Sequence, residues 1–280
     1  MSRLLPLQDF RARRKVLVRS DFAYAPNPPR RPSDRIDQNT WHHLMVLPDD
    51  VAIRTSNHHG TELQQFTELT GAWIESVDMH TNPRLIDPVM LDAFDDLKAS
   101  IFNSLFGWYR FSIAGMRNVL ELMAIGCWAE VCHEKQKFTD WQDGKITLSL
   151  GQACDGLIRG AAALEVHLEN TLGDSLFSQK TARSDGGFLR RAFSGISEYS
   201  HSRPGHTHGH MWESNGPIYV PSAFQHVAWI SFETIAMSFV LAMLAKPGMH
   251  LPKAIVDLVA DQDRVKSRIT RAAFAFLHEP

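Results

Sequence analysis

After about residue 60, apolar side chains recur every three or four positions through most of the chain. This spacing places them on one face of an α-helix, which can then pack against neighbouring helices. Three long stretches carry the pattern, at 61–77, 89–105 and 108–132. Their apolar stripes include Leu63, Phe66, Trp73, Val89, Leu97, Leu105, Ile113, Leu120 and Val131. The pattern predicts a mainly α protein built as a multi-helix bundle.

Helix start and stop signals extend this prediction along the chain. Asp87 followed by Pro88 is typical of an N-cap with proline at the first helical position. Residues 148–172 read as one helix that ends at Gly173, and a further helix is expected over 188–201. Pro221 opens a long apolar helix to about residue 245, and 252–277 supplies one or two closing helices.

The first 59 residues have a different character. Residues 1–40 are rich in proline and arginine, and the prolines at 26–32 cannot sustain a helix or a central strand. Short alternation at 41–53 predicts a small β element, either a strand or a hairpin edge. We therefore expect an irregular N-terminal arm with a short β segment at 1–59, followed by a helical bundle domain at 60–280.

Composition narrows the class of protein. A formal net charge of −2 over 280 residues gives a weak global field, which argues against wholesale binding to polyanions. Cys127, Cys132 and Cys154 lack zinc-ligand spacing, and an odd, sparse count fits a reducing compartment. The start has no apolar run of signal-peptide length, and the polar residues within 227–245 favour a core helix over a membrane span. We expect a cytoplasmic protein without a membrane partner.

The most unusual local feature is a histidine-rich segment. Residues 202–220 form a long irregular stretch with two prolines and three glycines, and four histidines fall within ten residues. Loops of this length in a compact domain are usually functional or disordered. The segment and its border carry His201, Arg203, His206, His208, His210 and Trp212.

Several uses of this segment remain open. His206, His208 and His210 alternate along the chain, so an extended backbone would place their rings on one face as ligands for a divalent metal. No other cofactor is expected. Alternatively, the segment is structural, with His201 at the negative end of a helix and Trp212 pinning the loop to the bundle.

A second polar cluster interrupts the apolar stretch at 108–132. Arg117 and Glu121 are four residues apart on the predicted helix and can form an ion pair, and Asn118 lies beside them. A buried carboxylate on an apolar helix requires a partner, because an unpaired one is costly. Our hypothesis is that Arg117 and Glu121 face Tyr199, His201 and Arg203 in one polar site. Such a network either locks the register of the helices or binds an anion or orients a general base.

Two segments carry a resemblance to known proteins. Tyr109-Arg110, followed by Met116-Arg117-Asn118-Val119-Leu120-Glu121, and the run Ile196-Ser197-Glu198-Tyr199-Ser200-His201-Ser202-Arg203 resemble helices of bacterial all-helical, HEPN-like proteins associated with antiviral defence. HEPN-type nucleases carry arginine and histidine separated by four to six residues, and Arg203 with His208 or His210 has this spacing. Pro204 departs from that motif, in which a polar residue usually follows the arginine.

The resemblance implies a helical bundle that can dimerise, with Arg117, Glu121, Tyr199 and His201 near its functional surface. The expected function is that of a bacterial defence or stress protein whose site binds RNA or another phosphate ligand, with ribonuclease activity as its catalytic form. In that interpretation Arg117, Glu121, His201 and Arg203 are catalytic, while Asn118, Tyr199, His208 and Trp212 contact the substrate. The alternatives are a non-enzymatic interaction protein of a larger complex and a histidine-ligated metal protein.

Overall fold

The structure, a computed structural model, describes residues 36–81, 83–182, 184–200 and 217–278. The chain divides into two compact units, Met1–Leu44 and Met45–Pro280. In the described part of the first unit, helix α1 spans Gln38–Trp41. The Asp37 carboxylate begins it by accepting the Thr40 backbone N–H at 2.8 Å, as an N-cap does. A π-helical turn occupies His42–Val46.

Ten helices lie in the described part of the second unit. They are α2 Leu47–Glu75, α3 Ile86–Leu105, α4 Tyr109–Val131, α5 Lys135–Gln142, α6 Leu150–Gly160, α7 Ala162–Leu172, α8 Phe188–Ser200, α9 Pro221–Ala245, α10 Lys253–Ala260 and α11 Arg268–His278. Within the described ranges the only β pairing is one isolated bridge, between Thr181 and Ser184. The prediction of a mainly α, multi-helix bundle is confirmed.

The small β element predicted at 41–53 is wrong, because this stretch is helical. Buried Val51, Thr55 and His59 recur every four residues and give α2 a helical face, which the short alternation concealed. At His59 the helix kinks, with φ −131° and ψ 29°. The boundary expected between residues 59 and 60 stays a prediction.

Residues 148–172 form two helices rather than the single helix predicted. The break lies at Ala161, with φ −115° and ψ 31°. Next to it, a Cβ on Gly160 would lie 2.6 Å from Cγ1 of Val131, so the end of α6 packs closely on α4. The predicted stop at Gly173 is confirmed, since this glycine ends α7 in the left-handed conformation.

Helices α4 and α9 form the centre of the bundle. Helix α4 packs against α3, α5, α6, α8 and α9, and α9 also contacts α2, α3, α10 and α11. Helix α9 is long and apolar enough to span a membrane, but 83% of its most apolar window is buried inside the fold, as in the core helix of many soluble proteins. Glu233 is its only charged residue.

Asp87 connects the ends of three helices and is fully buried. The predicted N-cap position is off by two residues, because α3 begins at Ile86 with Leu85 as its cap. The Asp87 carboxylate accepts backbone N–H groups from Asp78 and Arg84, at 3.0 and 2.7 Å. It also binds the Lys246 ammonium at 2.7 Å, and Lys246 donates in turn to the Ser76 carbonyl. These contacts tie the start of α3 to the ends of α2 and α9.

Candidate functional site

The Arg117 side chain lies between α4 and α8. Its Nη1 atom is 3.2 Å from Oε2 of Glu121, so the ion pair expected from their four-residue spacing is present. Its Nε atom donates to the Ser197 hydroxyl at 3.1 Å, and its guanidinium lies 4.5 Å from the centre of the Phe193 ring. Arg117 therefore connects the polar cluster of α4 to the helix that leads into the histidine segment.

Arg110 fixes the last turn of α8. Its Nε atom donates to the backbone carbonyl of Tyr199 at 2.8 Å. Carbonyls in the last turn of a helix lack partners within the helix, and a cationic donor there also suits the negative end of the helix dipole. Arg110 thus holds the point where the chain leaves α8 towards residues 201–216.

The chain returns from that segment to the same place. Gly107, in the turn between α3 and α4, has φ +77°, and a Cβ there would lie 2.1 Å from the Ile218 carbonyl oxygen. The buried Tyr109 hydroxyl accepts the Val220 backbone N–H at 3.0 Å. Burial raises the pKa of Tyr109, with the Val220 N–H acting in the opposite direction, so the phenol stays neutral. The start of α4 therefore holds both flanks of residues 201–216.

Tyr219, which lies just before α9, contacts the kink of α2. Its hydroxyl is 3.4 Å from Nε2 of His59, and its ring stacks on His58 with centroids 5.5 Å apart. His59 also stacks on Phe224 of α9, at 4.3 Å. Burial is the main cause of the lowered pKa of His59, so this histidine is neutral near pH 7.

Exposed aromatic side chains lie on both sides of the turn between α3 and α4. Phe102 and Phe111 are 61% and 59% exposed. Phe102 packs on Phe106 with ring centroids 4.6 Å apart, and Phe111 packs on Trp108 at 5.9 Å. We call these four residues the aromatic turn. Contiguous exposed apolar patches often mark binding surfaces.

A cavity of about 520 Å³ opens beside the end of α8. Tyr199 and His226 both line it, and the Tyr199 hydroxyl is 3.2 Å from Nε2 of His226. Burial lowers the pKa of His226, so its imidazole is neutral near pH 7. Volumes between about 300 and 1,000 Å³ are typical of small-molecule sites.

Some of the candidate site residues lie together in the structure, and others line separate cavities or lie outside the described residues. Arg117, Glu121 and Asn118 lie together on α4, and Arg117 reaches α8. Glu121 and Asn118 line a separate cavity of about 300 Å³, with Asp96 and Trp141, whereas Tyr199 lines the larger one. The other candidates, His201, Arg203, His206, His208, His210 and Trp212, lie outside the described residues.

The metal prediction also depends on those histidines. Within the part of the chain that the structure describes, no group of three or more His, Cys, Asp or Glu side chains could hold a metal ion. Cys154, one of the three cysteines, is buried, which raises the pKa of its thiol to about 12. The histidine-ligated metal site stays a prediction for 201–216.

Sequence reasoning missed several residues around the site. Glu233 is the single charged residue of α9. Like Glu121, it is a carboxylate on an apolar helix that requires a partner if buried, so the sequence could have indicated it as well. His226 precedes it by two helical turns and offered no distinct signal. Gly107, Tyr109 and Val220 act through contacts between residues more than 100 positions apart, which no local pattern reveals.

No known protein family, curated protein or solved structure matches the chain.

Proposed function

We propose that this protein binds single-stranded RNA, or a related phosphate ligand, at the aromatic turn and the histidine segment that this turn holds. One observation carries the proposal: the end of α3 exposes Phe102 and the start of α4 exposes Phe111. Between these two rings in sequence, Gly107, Tyr109 and Arg110 fix both flanks of 201–216. The stacking surface therefore lies beside the residues that fix both ends of the segment whose sequence contains Arg203 and the histidines.

The chemistry of these groups suits an unpaired nucleic acid. Proteins that bind single strands combine aromatic rings, on which bases stack, with cationic groups that follow the phosphates. Phe102, Trp108 and Phe111 supply rings, and Arg110 supplies a guanidinium between them in sequence. Arg203 and four histidines lie in the adjoining segment, and histidine can act as a general acid or base on a ribose phosphate near neutral pH.

The catalytic part of the proposal is a ribonuclease of the HEPN-like defence class. In it, His201 and Arg203, with His208, act on the ribose phosphate. Arg117 and Glu121 position α8 through Ser197 and Phe193 rather than touching the substrate. Their role is to hold the residues that precede His201 in a fixed orientation.

Binding is tested by the fluorescence anisotropy of a labelled, unstructured RNA at low salt. Replacing Phe102 and Phe111 together by alanine should weaken binding about tenfold or more, since a stacked base contributes about 1–3 kcal/mol. Val166→Ala is the matched control, because Val166 of α7 is also 59% exposed. Equal affinity of the double variant and the parent would refute the stacking surface.

Cleavage is tested separately, with His201→Ala and Arg203→Ala beside the parent protein. Both variants should bind RNA and fail to cleave it. Cleavage that persists in both would place the active site elsewhere. A parent protein that neither binds nor cleaves RNA would favour the non-enzymatic interaction protein, with the aromatic turn as its docking surface.

A further inference from the structure

The cavity beside α8 has features that RNA binding does not use. Its walls come from α4, α8, α9 and the chain just before α11. Most of its lining is apolar, with Leu120, Ile196, Ile230 and Met237 among the contributors. Such a lining excludes water and favours a hydrophobic ligand. The few polar groups in the wall then decide which ligand fits.

Two of these polar groups are buried without a hydrogen-bond partner among the described residues. They are the Oε2 atom of Glu233 and the hydroxyl of Thr234, which is 2% exposed. The other Glu233 oxygen is fixed, since Oε1 accepts the Ser267 backbone N–H at 2.8 Å. Buried polar atoms are nearly always satisfied in folded proteins, so unsatisfied ones that line a cavity indicate a missing partner.

The charges around the cavity favour a cation. Glu198 and Glu233 both line it. Of the two basic residues in the wall, Arg191 is already neutralised by Asp174, with Nη2 and Oδ2 2.6 Å apart. Lys266 lies with its ammonium 5.9 Å from the ring centre of Trp229. The lining therefore carries two carboxylates against one uncompensated ammonium.

We propose that this cavity is a second binding site, and that its ligand is a small hydrophobic amine whose ammonium group donates to Glu233. The alkyl or aryl body lies among the apolar walls, and the ammonium supplies the donor that Oε2 lacks. The site is independent of RNA binding.

The electrostatic state of Glu233 agrees with this assignment. Burial raises the pKa of its carboxyl, while the Ser267 N–H and the charge of Arg271 act in the opposite direction. The Lys266 N–H and the Trp229 indole lie near enough to lower this pKa as well, but neither forms a hydrogen bond of good geometry with Oε2. A carboxylate in an apolar wall gains most from a counter-charge, because ion pairs with hydrogen bonds are strong where water is excluded.

The test compares three probes that differ only in their polar end: heptylamine, heptan-1-ol and heptanoate. Isothermal titration of the parent protein at pH 7.5 should give tightest binding for heptylamine, by about tenfold, as expected for a charge-assisted hydrogen bond. Glu233→Gln keeps an oxygen for the Ser267 N–H and removes the charge. It should abolish the preference for heptylamine while heptan-1-ol still binds.

A cavity-narrowing variant locates the binding. Gly195 of α8 lines the cavity, and a Cβ there would meet nothing within 4 Å. Gly195→Phe should weaken all three probes, whereas Gly71→Phe, a helical glycine of α2 with equally open surroundings, should weaken none. The proposal is overturned by tighter binding of heptan-1-ol or heptanoate, by no binding of any probe, or by Gly195→Phe binding them as the parent does.

Discussion

The contact between Gly107 and Ile218 can be tested by one methyl group. Gly107→Ala adds a Cβ that would lie 2.1 Å from the Ile218 carbonyl oxygen and 2.6 Å from its nitrogen. Real contacts are far longer, and the obstructing atoms are backbone, so residues 217–220 must shift. That shift should weaken the hydrogen bond between the Tyr109 hydroxyl and the Val220 N–H.

The magnitude follows from two separable costs. Alanine at a positive φ costs about 1–2 kcal/mol. Forcing an extra methyl group into a packed site typically adds about 1–3 kcal/mol. We therefore expect Gly107→Ala to lower the free energy of unfolding by roughly 2–5 kcal/mol, the sum of the two.

Gly248→Ala separates these costs, because Gly248 has a φ of +75°, close to the +77° of Gly107, but no atom within 4 Å of an added Cβ. Its cost should be about 1–2 kcal/mol. Urea unfolding followed by circular dichroism measures both variants, and RNA anisotropy should show weaker binding for Gly107→Ala alone. Equal unfolding free energies for the two variants would refute the close approach of Ile218 to this turn.

Two further predictions concern buried charge. Asp87→Asn leaves the Lys246 ammonium, which is 13% exposed, without its counter-ion, and should lower the free energy of unfolding in urea by about 3–5 kcal/mol. Asp50→Asn, which breaks the exposed ion pair with Arg54, should lower it by about 1 kcal/mol or less. Similar losses for the two variants would show that burial of the Asp87 pair is not what makes it costly to break. His59 has a lowered pKa in the folded chain and faces Glu62, His58 and Tyr219, so the unfolded chain binds more protons and stability should fall as the pH drops below about 6.5. His59→Phe should flatten that slope relative to the parent, and parallel curves would show that His59 is not its source.

The periodic pattern was sufficient to predict the fold because the long helices each bury several apolar side chains along one face. The stripes through Leu97 and Ile113 lie within α3 and α4 as expected, and the pairing of Arg117 with Glu121 followed from their spacing alone. The error at 41–53 has a physical reason, since a window of about a dozen residues is too short for the spacing of its apolar side chains to distinguish a strand from a partly buried helix.

The surroundings of the site were less accessible to sequence reasoning. The hydrogen bond between Arg110 and Tyr199 joins residues 89 positions apart, and the one between Val220 and Tyr109 joins residues 111 apart. Such contacts depend on how the helices pack, which local periodicity does not determine. Glu233 could have been found, because a lone carboxylate in a long apolar helix has to lie at the surface, bind a partner or line a cavity.

Residue 199 and residues 218–220 are all attached to the start of α4 or to the turn before it. Gly107, Tyr109 and Arg110 set the points where the chain leaves α8 and returns to α9, so both ends of 201–216 are held by residues at the start of α4. A bundle of this kind can vary the sequence of one segment while the contacts that fix the two ends of that segment stay constant.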